Sequence, residues 1–229
     1  MKFVVIQFPG SNCDQDCYRV VGQVLRQDVR YAWHKDTHIE PDEAIIIPGG
    51  FSYGDYLRTG SIARFSPIME SVIEAAKSGQ PVIGICNGFQ ILCEAGLLPG
   101  ALVRNRDLHF ICENRLLRVE TDQTRFTMTY DQGAEVRLPI AHGDGCYTAD
   151  SKILADLEEN SQIVFRYIDH YGKASQKGNP NGSMNNIAGI CNLEGNVLGM
   201  MPHPERASEK LLGNIDGRGI FESLIRSVC

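Results

Sequence analysis

The stretch PVIGICNGFQIL (81–92) puts Cys86 between Gly84 and Gly88, where an apolar run ends and a helical pattern begins. PVIGIC reads as a short strand and FQILCEAG (89–96) as the helix after it. The G-x-Cys-x-G arrangement therefore spans a strand, a sharp turn and a helix, the setting of a nucleophile elbow. Side chains two residues before and two after the sulfur would collide as strand and helix close up, and the strained turn holds the reactive atom out over the sheet edge. The start of a helix also offers unpaired N–H groups and a positive dipole end, surroundings that favour a sulfur anion. A buried structural cysteine in a glycine-containing turn would have the same five residues, so the rest of the chain must decide between the two.

Outward from the elbow the alternation repeats. FVVIQF (3–8) is a β-rich run followed by Cys17, Val20, Val21, Val24 and Leu25 at helical spacing, with Asn12 as the expected cap. VRYAWH (29–34) leads to EAIIIPGG (43–50), whose unbroken Ile45, Ile46 and Ile47 predict a strand covered on both faces. SPIMESVIEAAKSGQ (66–80) predicts a helix with Ser66 as cap, Pro67 in the first turn, Ile68, Val72, Ile73 and Ala76 on one face, and Gly79 as the stop. Strands and helices in this order predict an α/β fold with a largely parallel, doubly wound sheet, in one domain over 1–229.

From about residue 102 the pattern changes. ENRLLRVET (113–121), RFTMTY (125–130) and EVRLPIAH (135–142) predict strands joined by short polar turns, a mainly antiparallel insertion before the chain returns to the sheet. IAGICNLEGNVLGMMPHPE (187–205) reads as a hairpin turning at Glu194, Gly195 and Asn196. GIFESLIRSVC (219–229) predicts a last helix with Ile220, Phe221, Leu224, Ile225 and Val228 inward, and SQKGNPNGSMNN (175–186) a surface loop.

Composition excludes several classes of partner. The 229 residues, 43% of them hydrophobic, suffice for a full core, and a net charge of −6 with no block of Lys or Arg offers no footprint for nucleic acid or an anionic membrane. No run approaches the about 20 apolar residues of a membrane helix, and MKFVVIQFPG is too short and interrupted for a signal peptide, so a cytoplasmic location is expected. Eight cysteines without CxxC spacing read as reduced thiols. His34 and His38 are four apart, but in a strand running into a loop, so no metal is expected there.

Two further segments bear on Cys86. A thiolate that forms an acyl intermediate needs an imidazole, and the imidazole needs a partner to fix its tautomer. In Met201-Pro202-His203-Pro204-Glu205 the prolines stiffen the chain, and a one-residue spacing in an extended conformation would project His203 and Glu205 on one side. Pro48-Gly49-Gly50-Phe51 ends a strand at the edge where open α/β sheets bind ligands; its backbone N–H groups and that of Asn87 could meet a developing oxyanion.

Together GICNGFQ (84–90), PGGFSYGDYLRTGSIARF (48–65), PIAHGDG (139–145), NPNGS (179–183) and MPHPE (201–205) closely resemble the glutaminase subunits of phosphoribosylformylglycinamidine synthases, which are class I (triad-type) glutamine amidotransferases of purine biosynthesis. The resemblance covers nearly the whole chain. A cysteine elbow with HPE is common to the wider superfamily, whereas FSYGDYLR and NPNGS mark this branch. The resemblance implies a flavodoxin-like three-layer sandwich, with a mainly parallel central sheet and a smaller antiparallel insertion. It implies glutamine bound against Gly49 of the PGGF loop, Gln90 and the His142-Gly143-Asp144 segment. Cys86 would attack the side-chain amide, Gly50, Phe51 and Asn87 would form the oxyanion hole, and His203 oriented by Glu205 would move the protons. Asp144 stands where the family pattern has Glu, and Cys146 where a polar or basic residue is usual.

The resemblance also implies ammonia passed to a separate synthetase active site, which uses ATP and Mg to activate formylglycinamide ribonucleotide. This chain has no G-x-x-x-x-G-K-[ST] loop. It is thus expected to need no cofactor of its own and to work with a large synthetase subunit and a small bridging subunit. YGDYLRTGSIARF (53–65), with Tyr53, Tyr56, Arg58 and Arg64, has the aromatic and arginine content of that interface, or else simply covers the glutamine pocket. The rival readings are a glutaminase subunit of another pathway, a free-standing γ-glutamyl hydrolase, and a catalytically silent glutamine-sensing or structural subunit.

Overall fold

The apolar runs around the elbow become the middle of one sheet in a computed structural model, which describes residues 1–227. In chain order the strands are β1 (Lys2–Gln7), β2 (Asp28–Trp33), β3 (Glu43–Ile47), β4 (Val82–Ile85), β5 (Ala101–Val103), β6 (Ile111–Val119), β7 (Glu135–His142), β8 (Cys146–Thr148), β9 (Ile163–Tyr167), β10 (Ile187–Cys191) and β11 (Val197–Met200). The helices are α1 (Asp14–Arg19), α2 (Pro67–Lys77), α3 (Asn87–Glu94), α4 (Ser151–Glu159) and α5 (Arg218–Arg226). Among the described residues nine strands form a sheet in the order β2-β1-β3-β4-β11-β10-β9-β6-β7, and β5 pairs with β8 in a separate ribbon.

The strands from β2 to β11 are parallel, and those beyond pair antiparallel. Ile45, Ile46 and Ile47 are fully buried, as an unbroken apolar strand covered on both faces must be. The hairpin from β10 to β11 turns through 192–196, with Gly195 at positive φ. No helix among the described residues is long and apolar enough to cross a membrane.

The mainly antiparallel insertion is there as expected, β6 pairing antiparallel with both β7 and β9 and so joining the main sheet. Several local expectations are corrected. RFTMTY is a series of turns and not a strand, because its hydroxyls bond locally and to α5 in place of a ladder. Thr124 and Thr127 pair their hydroxyls, and Thr129 Oγ1 donates to the Gly219 carbonyl. Asn12 does not cap α1; Cys13 holds that position, and the helix runs on as a π turn over Val20–Val24. Ser66 precedes α2 as expected, but its hydroxyl bonds the Tyr53 hydroxyl at 2.8 Å and caps nothing. The 179–183 part of the expected surface loop is largely buried, with Asn181 fully so. Of the inward residues expected in α5, Val228 lies outside the described residues, while Ile220, Phe221 and Leu224 are buried.

Candidate active site

Strand β4 delivers Cys86 to the sheet edge and α3 begins at the next residue. Cys86 has φ 51° and ψ −105°, a backbone state that costs a non-glycine residue of order 1–3 kcal/mol and persists only where the surroundings impose it. Its N–H donates to the Met200 carbonyl of β11 at 2.8 Å, so strain is held by the sheet itself. The flanking glycines have the steric task expected of them. A Cβ on Gly88 would stand 2.0 Å from the Ile47 carbonyl oxygen, and one on Gly84 would stand 2.6 Å from the Gly88 backbone.

The imidazole arrives from the far end of the chain. After β11 the His203 N–H donates to the Pro139 carbonyl of β7 at 2.8 Å, and Pro204 opens a single 3-10 turn over Pro204–Ala207. That turn, and not an extended run, folds Glu205 back onto the ring: Nδ1 of His203 and Oε1 of Glu205 are 2.6 Å apart. Both residues are 1% exposed. Burial alone would push His203 down; the Glu205 carboxylate, with the sulfurs of Cys86 and Cys13, outweighs it and raises the imidazole well above its ordinary range. The Nε2 atom has no hydrogen-bond partner among the described residues.

Gly49 explains how close the groups stand. A Cβ there would lie 2.8 Å from His203 Cε1, 3.0 Å from Cys13 Sγ and 3.4 Å from Cys86 Cβ. Its place in the site is thus to make room for the ring. Cys86, His203, Cys13, Gly50, Phe51 and Arg206 line a common cavity of about 130 Å³.

The loop expected to meet an oxyanion is clasped by residues 10–13. Asn12 and Cys13 donate their N–H groups to the Gly49 carbonyl, and the Phe51 N–H donates to the Gly10 carbonyl at 2.9 Å. Phe51 therefore does not offer a free amide in this arrangement, contrary to the sequence expectation. The Asn87 side chain is held on both sides. Its Oδ1 accepts from the Ser52 N–H at 3.1 Å and the Ser52 hydroxyl at 2.5 Å, and its Nδ2 donates to Gln90 Oε1 at 2.9 Å.

Gln90 continues this chain, its Nε2 donating to the Asp144 carbonyl at 2.6 Å. Gln90 and the 142–145 segment are thus adjacent, and the amide of Gln90 is engaged by protein. Asn105 braces the segment: its N–H donates to the Gly143 carbonyl, its Nδ2 to the His142 carbonyl, and its Oδ1 accepts from the Gly145 N–H. Asn181 Nδ2 donates to the Gly145 carbonyl at 2.7 Å, which is why the NPNGS residues are drawn inward. His142 is driven down to about 4, first by burial and then by the charge of His203. Asp55 is pushed up to about 6 by burial and by the nearby Asp144 carboxylate.

Cys13, Asn105 and Arg206 were not singled out by the sequence reading. Arg206 adjoins the HPE motif, and Nη2 of its guanidinium donates to Cys13 Sγ at 3.1 Å. Cys13 had the weak signal of a cysteine after a Gly-Ser-Asn turn, and Asn105 had none.

The model of the CobB/CobQ-like glutamine amidotransferase domain matches residues 1–219. The phosphoribosylformylglycinamidine synthase subunit PurQ of Gloeobacter violaceus is 58% identical over 227 residues, covering 99% of this chain and 98% of that one. The same subunit of Moorella thermoacetica is 58% identical over 225 residues, covering 98% and 95%. Among solved structures, a chain of PurLQS from Thermotoga maritima superposes with a TM-score of 0.88 at 41% identity, covering 100% of this chain and 99% of that one. Another glutamine amidotransferase of Thermotoga maritima, at 17% identity and a TM-score of 0.56 over 99% and 91% of the two chains, shares the fold.

Proposed function

We propose, from the premise that the chain belongs to the CobB/CobQ-like glutamine amidotransferase domain family, that it is the glutaminase subunit of a phosphoribosylformylglycinamidine synthase, built as a single amidotransferase domain. The observation that supports this most directly is the buried His203–Glu205 pair beside Cys86, whose strained backbone a merely structural cysteine would not need.

In the reaction, Cys86 Sγ bonds to the side-chain amide carbon of glutamine and the carbonyl π electrons move to oxygen. The N–H groups of Gly50 and Asn87 hold that oxyanion; the Phe51 amide joins them only if its peptide turns away from Gly10. The tetrahedral intermediate collapses, the C–N bond breaks, and the imidazolium of His203 supplies the proton that lets ammonia leave. His203, now neutral, takes a proton from water, which attacks the thioester and releases glutamate. Glu205 remains a carboxylate throughout and holds the Nδ1–H.

Gly49 keeps the ring over the sulfur, and Gln90, His142, Gly143 and Asp144 form the wall that receives the rest of glutamine. Ammonia passes to the large synthetase subunit, with a small bridging subunit in the complex; ATP and Mg act there. The described cysteines are all free, which suits the reducing cytoplasm in which we place it.

The decisive experiment measures glutamine turnover with and without the large subunit, nucleotide and ribonucleotide substrate. Stimulation by the assembled partner supports this reading, and full turnover by the isolated chain would favour a free-standing γ-glutamyl hydrolase.

A further inference from the structure

Cys13 is a thiol that glutamine hydrolysis does not use, yet it stands against the catalytic ring. One donor atom from each of Cys13, His203 and Glu205 lies within 4.8 Å of the others, and all three residues are buried. Cys86 faces the same small cavity. His203 Nε2 is buried and unpartnered among the described residues, while Nδ1 is held by Glu205. A carboxylate on one ring nitrogen is the usual means of orienting a metal-ligating histidine, since it fixes the tautomer that turns the other nitrogen's lone pair outward.

We propose that this pocket binds a borderline-soft divalent cation, Zn²⁺ foremost, through Cys13 Sγ, Cys86 Sγ and His203 Nε2, and that occupancy switches the thiol chemistry off. Two sulfurs and an imidazole select zinc over magnesium or calcium, which take oxygen ligands. Glu205 acts as the outer-shell anchor of His203, and the Arg206 N–H donated to Cys13 Sγ anchors the other ligand. Once the metal has displaced the thiol and imidazole protons, the two sulfurs and the Glu205 carboxylate against the Arg206 guanidinium carry a net charge of −2, which the dication neutralises. Binding releases the thiol and imidazole protons to solvent, so no oxidant or reductant is involved. Inhibition follows because the metal occupies both the nucleophile's sulfur and the nitrogen that carries the proton.

The coordination rests on the donor atoms alone, whereas the inhibition rests also on the glutaminase reading. The test titrates the full-length chain, kept reduced by a phosphine, with zinc alone in competition with a chromophoric chelator. One zinc is expected per chain, with affinity falling at least about 10-fold in both Cys13→Ala and Cys86→Ala and unchanged in Cys112→Ala, whose thiol is exposed. Cys13→Ser is the second variant should the alanine form fail to fold, judged by circular dichroism. Cobalt in place of zinc should show a thiolate charge-transfer band that weakens in each active-pocket variant. Zinc affinity unaltered in Cys13→Ala, or a cobalt spectrum without the band, overturns the proposal. The two readings fail separately: loss of zinc binding with glutamine hydrolysis retained in Cys86→Ala would sink the glutaminase and leave the metal site standing.

Discussion

His203 Nδ1 lies 2.6 Å from Glu205 Oε1, with both side chains shut off from solvent. The carboxylate sets the ring's tautomer and offsets the penalty of charging it in the interior. Glu205→Gln keeps the shape and removes the charge, so burial, then opposed by less charge, lowers the imidazole. Steady-state kinetics should show kcat down by roughly 10³–10⁴-fold with KM little altered, as for the loss of charge behind other catalytic histidines. A change confined to KM would mean that Glu205 serves binding alone.

Cys86→Ala tests the nucleophile without touching the partner. Glutamine hydrolysis should fall to background in the assembled complex while synthesis from added ammonium continues. Persistence of glutamine-dependent synthesis would remove the thioester from the mechanism.

At Gly88 the elbow leaves no room for a side chain, since a Cβ would meet the Ile47 carbonyl oxygen at 2.0 Å. Gly88→Ala must therefore push α3 off β3. Urea unfolding should register a loss of about 2–4 kcal/mol, together with loss of glutaminase activity. An alanine form as stable as the parent would show that the strand and helix are not packed this tightly.

His142 makes stability depend on pH. Its folded value of about 4 lies below the ordinary histidine value near 6.5, so between these limits the unfolded chain binds a proton that the folded chain refuses. The corresponding stability is complete above the unfolded value and is lost as pH falls through about 4, a total of about 3 kcal/mol. His142→Gln should flatten that part of the profile, measured by urea unfolding at closely spaced pH values. An identical slope in the variant would place the titrating group elsewhere.

The segment from 53 to 65 is the proposed face for the synthetase, but its residues divide. Tyr53 turns inward, its hydroxyl 2.6 Å from His34 Nδ1, and Arg58 is held by Glu94 at 2.6 Å. Leu57 is 93% exposed, Phe65 75% and Tyr56 74%, an apolar surface of the kind that docking covers. Leu57→Asp with Phe65→Asp should weaken assembly with the large subunit at least about 10-fold, read by analytical ultracentrifugation, with the fold intact. Undiminished assembly would make this a loop that only covers the pocket.

Local sterics made much of this molecule readable in one dimension. The glycines around Cys86, the isoleucine run of β3, the stop at Gly79 and the hairpin at Gly195 are each demands of the backbone on its own neighbours, and the sequence alone determined them. It also named His203 and Glu205, though the 3-10 turn after Pro204 brings them together and not the extended chain expected. What the tertiary structure alone decided lies between distant residues. Cys13 meets His203 and Arg206, Asn105 holds 142–145, Phe51 gives its amide to Gly10, and Thr129 of RFTMTY turns to α5. None of these has a sequence period, because a hydrogen bond or sulfur contact across a folded core depends on which loops the sheet brings side by side, and that is settled only when the chain closes.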